Sequence, residues 1–194
     1  MKLRVARTLK WNVIDKVASQ LLYGLTGLVL ANLLSPAEFG VIGAILVFQA
    51  FASLFVDSGF SYALIQRKSP SELDYSTVLW FNVGASVAIY ALLWILAPWI
   101  ATIFKDAPPE LVPLSRVMFL TFIINATAIV QTNRLMKRMD VKMVAVSNSL
   151  GLFAGAFVGI GLALLGYGAW ALVWQAVAVA FVKSAVLWLS LIHI

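Results

Sequence analysis

The chain contains no cysteine, which excludes disulfide frameworks and thiolate metal sites. It has a single histidine, His193, beside the end, so a histidine-based metal or nucleophile site is excluded as well. Charge is scarce: 11% of the 194 residues are charged, where a soluble domain carries about 25%. Such a chain cannot cover a globular surface with polar groups. At 62% apolar residues and a mean hydropathy of +0.97 it reads as an integral membrane protein. Catalytic groupings are missing too. There is no His/Asp/Ser set, no carboxylate pair at acid–base spacing, no P-loop and no HExxH. Neither enzymatic chemistry nor a cofactor or metal is expected.

The charge that is present is net +6. It sits in loops between apolar runs, so it reads as membrane topology rather than nucleic-acid binding. The opening MKLRVARTLK resembles the basic region of a signal peptide. Asp15 and Lys16 interrupt the apolar run behind it, however, and no small-residue cleavage pattern ends a short apolar core. The expectation is a retained first span with a basic amphipathic lead-in.

A bilayer core needs about 20 apolar helical residues. Six segments meet that test: Trp11–Leu34, Phe39–Ile65, Thr77–Pro98, Val112–Thr132, Met143–Leu165 and Ala169–Ile192. They are continuous rather than alternating, so they are helices and not barrel strands. Eleven basic residues fall on one side: Lys2, Arg4, Arg7, Lys10, Lys16, Arg67, Lys68, Arg134, Lys137, Arg138 and Lys142. The positive-inside rule puts that side, and the N-terminus, in the cytoplasm. The opposite turns are short. Ser35 can cap a helix that starts at Pro36, Pro108-Pro109 breaks the next connection, and Gly166-Tyr167-Gly168 leaves almost no loop. Short loops imply antiparallel neighbours and an all-α six-helix membrane bundle, a single transmembrane domain over residues 1–194.

Polar groups inside these spans call for an account. Asp57 lies within span two, where a carboxylate costs roughly 2.5–3.5 kcal/mol at a helix centre. Lys16, on the neighbouring span, could clasp it; otherwise Asp57 faces a water-filled cavity. Gln49, Asn82, Asn125, Gln131, Asn148 and Gln175 are amides that can bond across helices. Together they could also line a cleft for sugar hydroxyls. Arg116 can snorkel to the headgroups or hold a phosphate. Lys183 suits an anionic substrate or a salt bridge. Gly151, Gly155 and Gly159 form a doubled GxxxG that clears one helix face for close packing, or lets the helix bend. The densest basic loop, Arg134 to Lys142, reads as a topology anchor beside anionic lipid, or as a lure for a lipid-linked pyrophosphate.

Three ordered segments carry a family resemblance. ANLLSPAEFGVIG, with Pro36, Phe39 and Gly40, resembles the first turn of polysaccharide transporters. FVDSGFSYALIQRK, with Asp57 and Gly59, resembles their next segment, and LDYSTVLWFNV the opening of their third span. With APWIATIFKD, the likeness runs to about Lys142. This family holds the Wzx-type flippases of the multidrug/oligosaccharidyl-lipid/polysaccharide exporter superfamily. Asn32 departs from the pattern, replacing a basic residue.

The resemblance implies one N-terminal lobe of a two-lobe transporter of about twelve to fourteen helices, working by alternating access. It implies a multi-pass location in the bacterial cytoplasmic membrane. The implied cargo is a polyprenyl-pyrophosphate-linked oligosaccharide for O-antigen, capsule or exopolysaccharide synthesis. The implied partners are the lipid bilayer and a missing C-terminal lobe, without which transport is not expected. A drug/cation antiporter of the same superfamily and a non-transporting membrane scaffold are the alternatives. The closing SLIHI resembles translated sequencing adapter, so a truncated reading frame is expected.

Overall fold

The computed structural model describes residues 2–56, 64, 66, 67, 70–104, 108–138 and 140–192. Among these the elements are α1 (Lys2–Leu33), α2 (Pro36–Val56), α3 (Glu72–Ile103), α4 (Leu111–Lys137), α5 (Val141–Leu164) and α6 (Ala169–Ile192). Each of the six holds a segment long and apolar enough to cross a membrane. The all-α membrane bundle expected from the sequence is the fold observed.

Local chemistry sets where the helices begin. Ser35 and Glu38 form a reciprocal capping box: the Ser35 N–H donates to Glu38 Oε2 at 2.6 Å, and the Glu38 N–H to Ser35 Oγ at 3.4 Å. Pro36 takes the first helical position, where its missing N–H is not needed. Ser71 and Asp74 repeat the device at the start of α3, with bonds of 2.8 and 3.2 Å. Arg134 and Lys137 occupy the last turn of α4, where cations complement the helix dipole. The α5–α6 turn needs left-handed residues, supplied by Gly166 (φ 80°) and Gly168 (φ 56°). A Cβ at Gly168 would collide with the Glu38 carboxylate, so the α1–α2 and α5–α6 turns meet at one end of the bundle.

The basic segments gather at the other end. Arg67 pairs with Asp74 at 2.6 Å and Arg134 with Glu72 at 2.5 Å, while the Lys137 ammonium donates to the Arg67 carbonyl. Arg67 and Glu72 are largely exposed, so these pairs add little to stability. Their information is positional: the α2–α3 connection and the α4–α5 turn share one face.

Helix α4 lies at the centre, against α3, α6 and α2. Ile45 of α2, Leu93 of α3, Leu114 and Phe119 of α4 and Val173 of α6 form the main buried cluster. The bundle's outer surface is apolar, with Trp80, Trp99 and Phe157 exposed as lipid-facing side chains are.

The two-residue link at Leu34-Ser35 predicts α1 beside α2. The structure differs: α1 runs along α5, and α2 along α4, α6 and α3. Polar contacts explain the choice. Asn148 Nδ2 donates to Asp15 Oδ2 at 3.1 Å, and the Lys142 ammonium stands 5.7 Å from the Trp11 ring centroid. Leu30 and Leu34 pack with Ala163 and Ala171 at the opposite end.

The tightest contact is α5 on α6. An added Cβ would lie 2.9 Å from the Val179 carbonyl oxygen at Gly151, and 3.0 Å from the Gln175 carbonyl oxygen at Gly155. At Gly159 it would lie 2.9 Å from Gln175 Oε1. At Gly155 it would also overlap the Val179 side chain. Gly161, on the same helix, has open space instead. Gly155→Ala is therefore expected to destabilise the bundle by about 1–3 kcal/mol, through overpacking. Gly161→Ala should be neutral or slightly stabilising, and thermal unfolding in detergent compares the two.

Candidate functional site

Because α1 and α2 diverge from their shared turn, a cavity of about 330 Å³ opens between them. Its floor comes from α4, α5 and α6. Six polar or aromatic side chains line it: Tyr23, Gln49, Thr121, Asn125, Gln175 and Lys183. The rest of the wall is aliphatic, including Leu46 and Val179.

The glycine face of α5 sets the position of two of these groups. Gln175 lies over Gly155 and Gly159, and the Lys183 backbone and Cβ lie over Gly151. The close approach fixes where both side chains leave α6. On the other wall, Gln49 Nε2 donates to Thr121 Oγ1 at 3.2 Å, and Thr121 Oγ1 donates to the Met118 carbonyl at 2.7 Å. The Thr121 hydrogen is thereby committed to the Met118 carbonyl, and Gln49 Oε1 is left buried without a partner. The cavity thus offers an unfilled acceptor on α2 and a cation on α6. Lys183 forms no ion pair among the described residues. Asp15 of α1 is close enough to act on its charge, and is itself held by Asn148 and by Ser19 Oγ at 3.3 Å.

The structure brings Lys183 and Asn125 together with Gln49 and Gln175 at this cavity. Other candidates stand elsewhere. Asn82 is buried on α3, its Nδ2 bonded to the Val78 carbonyl at 2.8 Å. Arg116 lies over the Trp94 ring at 4.4 Å, its Nε buried and unpaired. Lys16 is exposed on α1. Asp57 and Gly59 lie outside the described residues, as therefore does the Lys16–Asp57 clasp. Phe39 packs beside Leu30 and Leu34, whereas Gly40 has open space around it, and nothing in the structure explains a glycine there. Tyr23, Thr121 and the Asp15–Asn148 link were not singled out from the sequence. A tyrosine at mid-span was the one available signal, since tyrosines otherwise favour the interfaces.

A family model described as "Polysaccharide biosynthesis protein" matches residues 29–193. The succinoglycan biosynthesis transport protein ExoT of Rhizobium meliloti is 29% identical over 179 residues, covering 92% of this chain and 36% of that protein. The lipopolysaccharide biosynthesis protein WzxC of Escherichia coli is 32% identical over 119 residues, and the teichuronic acid biosynthesis protein TuaB of Bacillus subtilis 30% over 115. Each of these two alignments covers 59% of this chain and 23% of the relative. The chain therefore spans about a third or less of the length of these relatives. No solved structure gives a significant match.

The unfilled acceptor generates a prediction. Gln49→Met keeps the volume and removes the buried unpaired carbonyl, at the cost of one bond to Thr121. Stability is expected to stay within about 1 kcal/mol of the parent. A large loss on thermal unfolding would make Gln49 a structural tie between α2 and α4.

Proposed function

We propose, for a chain that belongs to the polysaccharide biosynthesis protein family, that it is the N-terminal lobe of a flippase for polyprenyl-pyrophosphate-linked oligosaccharide. It is a multi-pass protein with the character of this bacterial inner-membrane family. The observation that carries the proposal is Gln49 Oε1, a buried acceptor without a donor, in the same cavity as Lys183. A sugar hydroxyl supplies the missing donor, and a pyrophosphate oxygen accepts from the ammonium.

The remaining lining suits the same cargo. Asn125 and Gln175 can donate and accept, as a run of hydroxyls requires. Tyr23 offers an aromatic face from α1. The divergence of α1 from α2 leaves a side passage through which a polyprenyl tail can stay in lipid while the head occupies the cavity. Opening to alternate sides would then come from movement against a second lobe, as in other repeat-built transporters. The basic end faces the cytoplasm in this reading, by the positive-inside rule.

The test uses the full-length protein in proteoliposomes with a fluorescent polyprenyl-pyrophosphoryl oligosaccharide. Lys183→Gln should lower the flipping rate by about tenfold or more, as loss of one charge-assisted hydrogen bond does. Gln49→Met should lower it less, and Arg116→Gln should leave it near the parent rate. Equal rates for Lys183→Gln and parent would remove the cavity from the transport path.

A further inference from the structure

A second cavity, also of about 330 Å³, lies at the basic end between α3, α4 and α6. None of its lining residues belongs to the cavity between α1 and α2. Leu79 and Val130 form an apolar wall, and Tyr75 and Trp188 supply rings. Tyr and Trp favour the depth where headgroups meet acyl chains. The Trp188 indole N–H is tied to the Thr127 carbonyl at 3.1 Å, which fixes that ring.

Two polar groups on α4 lack partners here. Gln131 is 4% exposed, and its Oε1 is buried with no hydrogen bond. Arg134 stacks on Tyr75, with its guanidinium carbon 4.3 Å from the ring centroid, and its Nε is buried and unpaired. The two residues are three apart, on one face of the helix. Nε and Nη2 share one edge of a guanidinium. Nη2 donates to Glu72, a largely exposed carboxylate, so half of that edge is filled and half is open. An exposed ion pair gives up its partner readily.

A fitting ligand must bring an anionic oxygen to Arg134, an O–H to Gln131 and an apolar chain to Leu79 and Val130. A phosphate ester of glycerol carrying acyl chains has all three. We propose that this cavity binds the phosphoglycerol head group of an anionic membrane lipid. The phosphate takes the open edge of Arg134, a glycerol hydroxyl donates to Gln131 Oε1, and an acyl chain runs along Leu79 and Val130. Lys137, at the same end and in neither ion pair, favours an anionic lipid over a zwitterionic one.

Native mass spectrometry of the detergent-purified full-length protein, titrated with phosphatidylglycerol, phosphatidylethanolamine or phosphatidylcholine, tests this. One phosphatidylglycerol should be retained in preference to the other two. Arg134→Gln and Gln131→Leu should each weaken retention by about tenfold, as loss of a bond to a charged or buried group does. Gln131→Leu should keep or raise the thermal midpoint, so its loss of lipid cannot be ascribed to unfolding. Arg138→Gln, an equal change of charge nearby, should leave retention within about twofold of the parent, as surface charges do. Unchanged retention in Gln131→Leu would overturn the site, and so would an equal loss in Arg138→Gln. Equal retention of phosphatidylethanolamine would overturn the head-group assignment. Displacement of the lipid by an equal concentration of sn-glycerol 3-phosphate would make the ligand a soluble phosphate ester instead.

Discussion

The close approach of α6 to the glycine face of α5 is the contact on which the rest of the bundle depends. Lipid tails are as apolar as leucine, so no hydrophobic gradient draws one membrane helix to another. Contact must come from packing and from the few polar bonds available. Gly151, Gly155 and Gly159 let the α6 backbone come within reach of the α5 surface, and this fixes the origin of Gln175 and Lys183. From α6 the order passes to α4, through the Thr127–Ser184 hydroxyl pair at 3.0 Å and the Trp188 bond to the Thr127 carbonyl. From α5 it passes to α1, through Asn148 and Lys142. The cavity is what remains when α1 is taken by α5 and α2 by α4.

Ionisable groups obey the same division. At the basic end, charges sit near water and form exposed pairs that mark position more than they stabilise. Deeper in, Asp15 and Lys183 stand on two helices that both pack on α5, beside Asn148 and Gly151 in turn. Asp15 is bonded to amide and hydroxyl donors rather than to the ammonium. A carboxylate satisfied by neutral donors still exerts its field, so it offsets part of the cost of Lys183 without occupying the ammonium's hydrogens. This differs from a direct clasp, which would consume both groups.

The spans and their helical character were legible because length and continuity of apolar residues suffice in a bilayer. The glycine spacing of α5 was legible as a packing face for the same reason that it works: four-residue spacing stays on one side of a helix. Helix partners were not legible. A helix that is apolar all round carries no stripe to say which neighbour it takes, and the short turn at Ser35 gave misleading guidance for α1. Nor could the sequence separate Asn125 and Lys183, which reach the cavity, from Asn82 and Arg116, which do not. All four are isolated polar residues in apolar runs. Their difference lies in which helix stands opposite, and that depends on contacts such as Asn148–Asp15, made between residues 133 positions apart.

The cavity wall also constrains what can lie against it. Asn125 is exposed and stands fourteen residues into α4, about 21 Å along the helix at 1.5 Å per residue. Counted across a hydrocarbon core of about 30 Å, that is well inside the membrane. An amide facing lipid there, with Gln49 Oε1 unpaired nearby, would cost several kcal/mol for want of partners. Water or protein must therefore meet this face. Among the described residues, the surfaces that carry Trp80, Trp99 and Phe157 outward are apolar and can meet lipid directly. The bundle is thus polarised by solvation alone: one side suits the hydrocarbon, and the side between α1 and α2 requires a wet or proteinaceous neighbour.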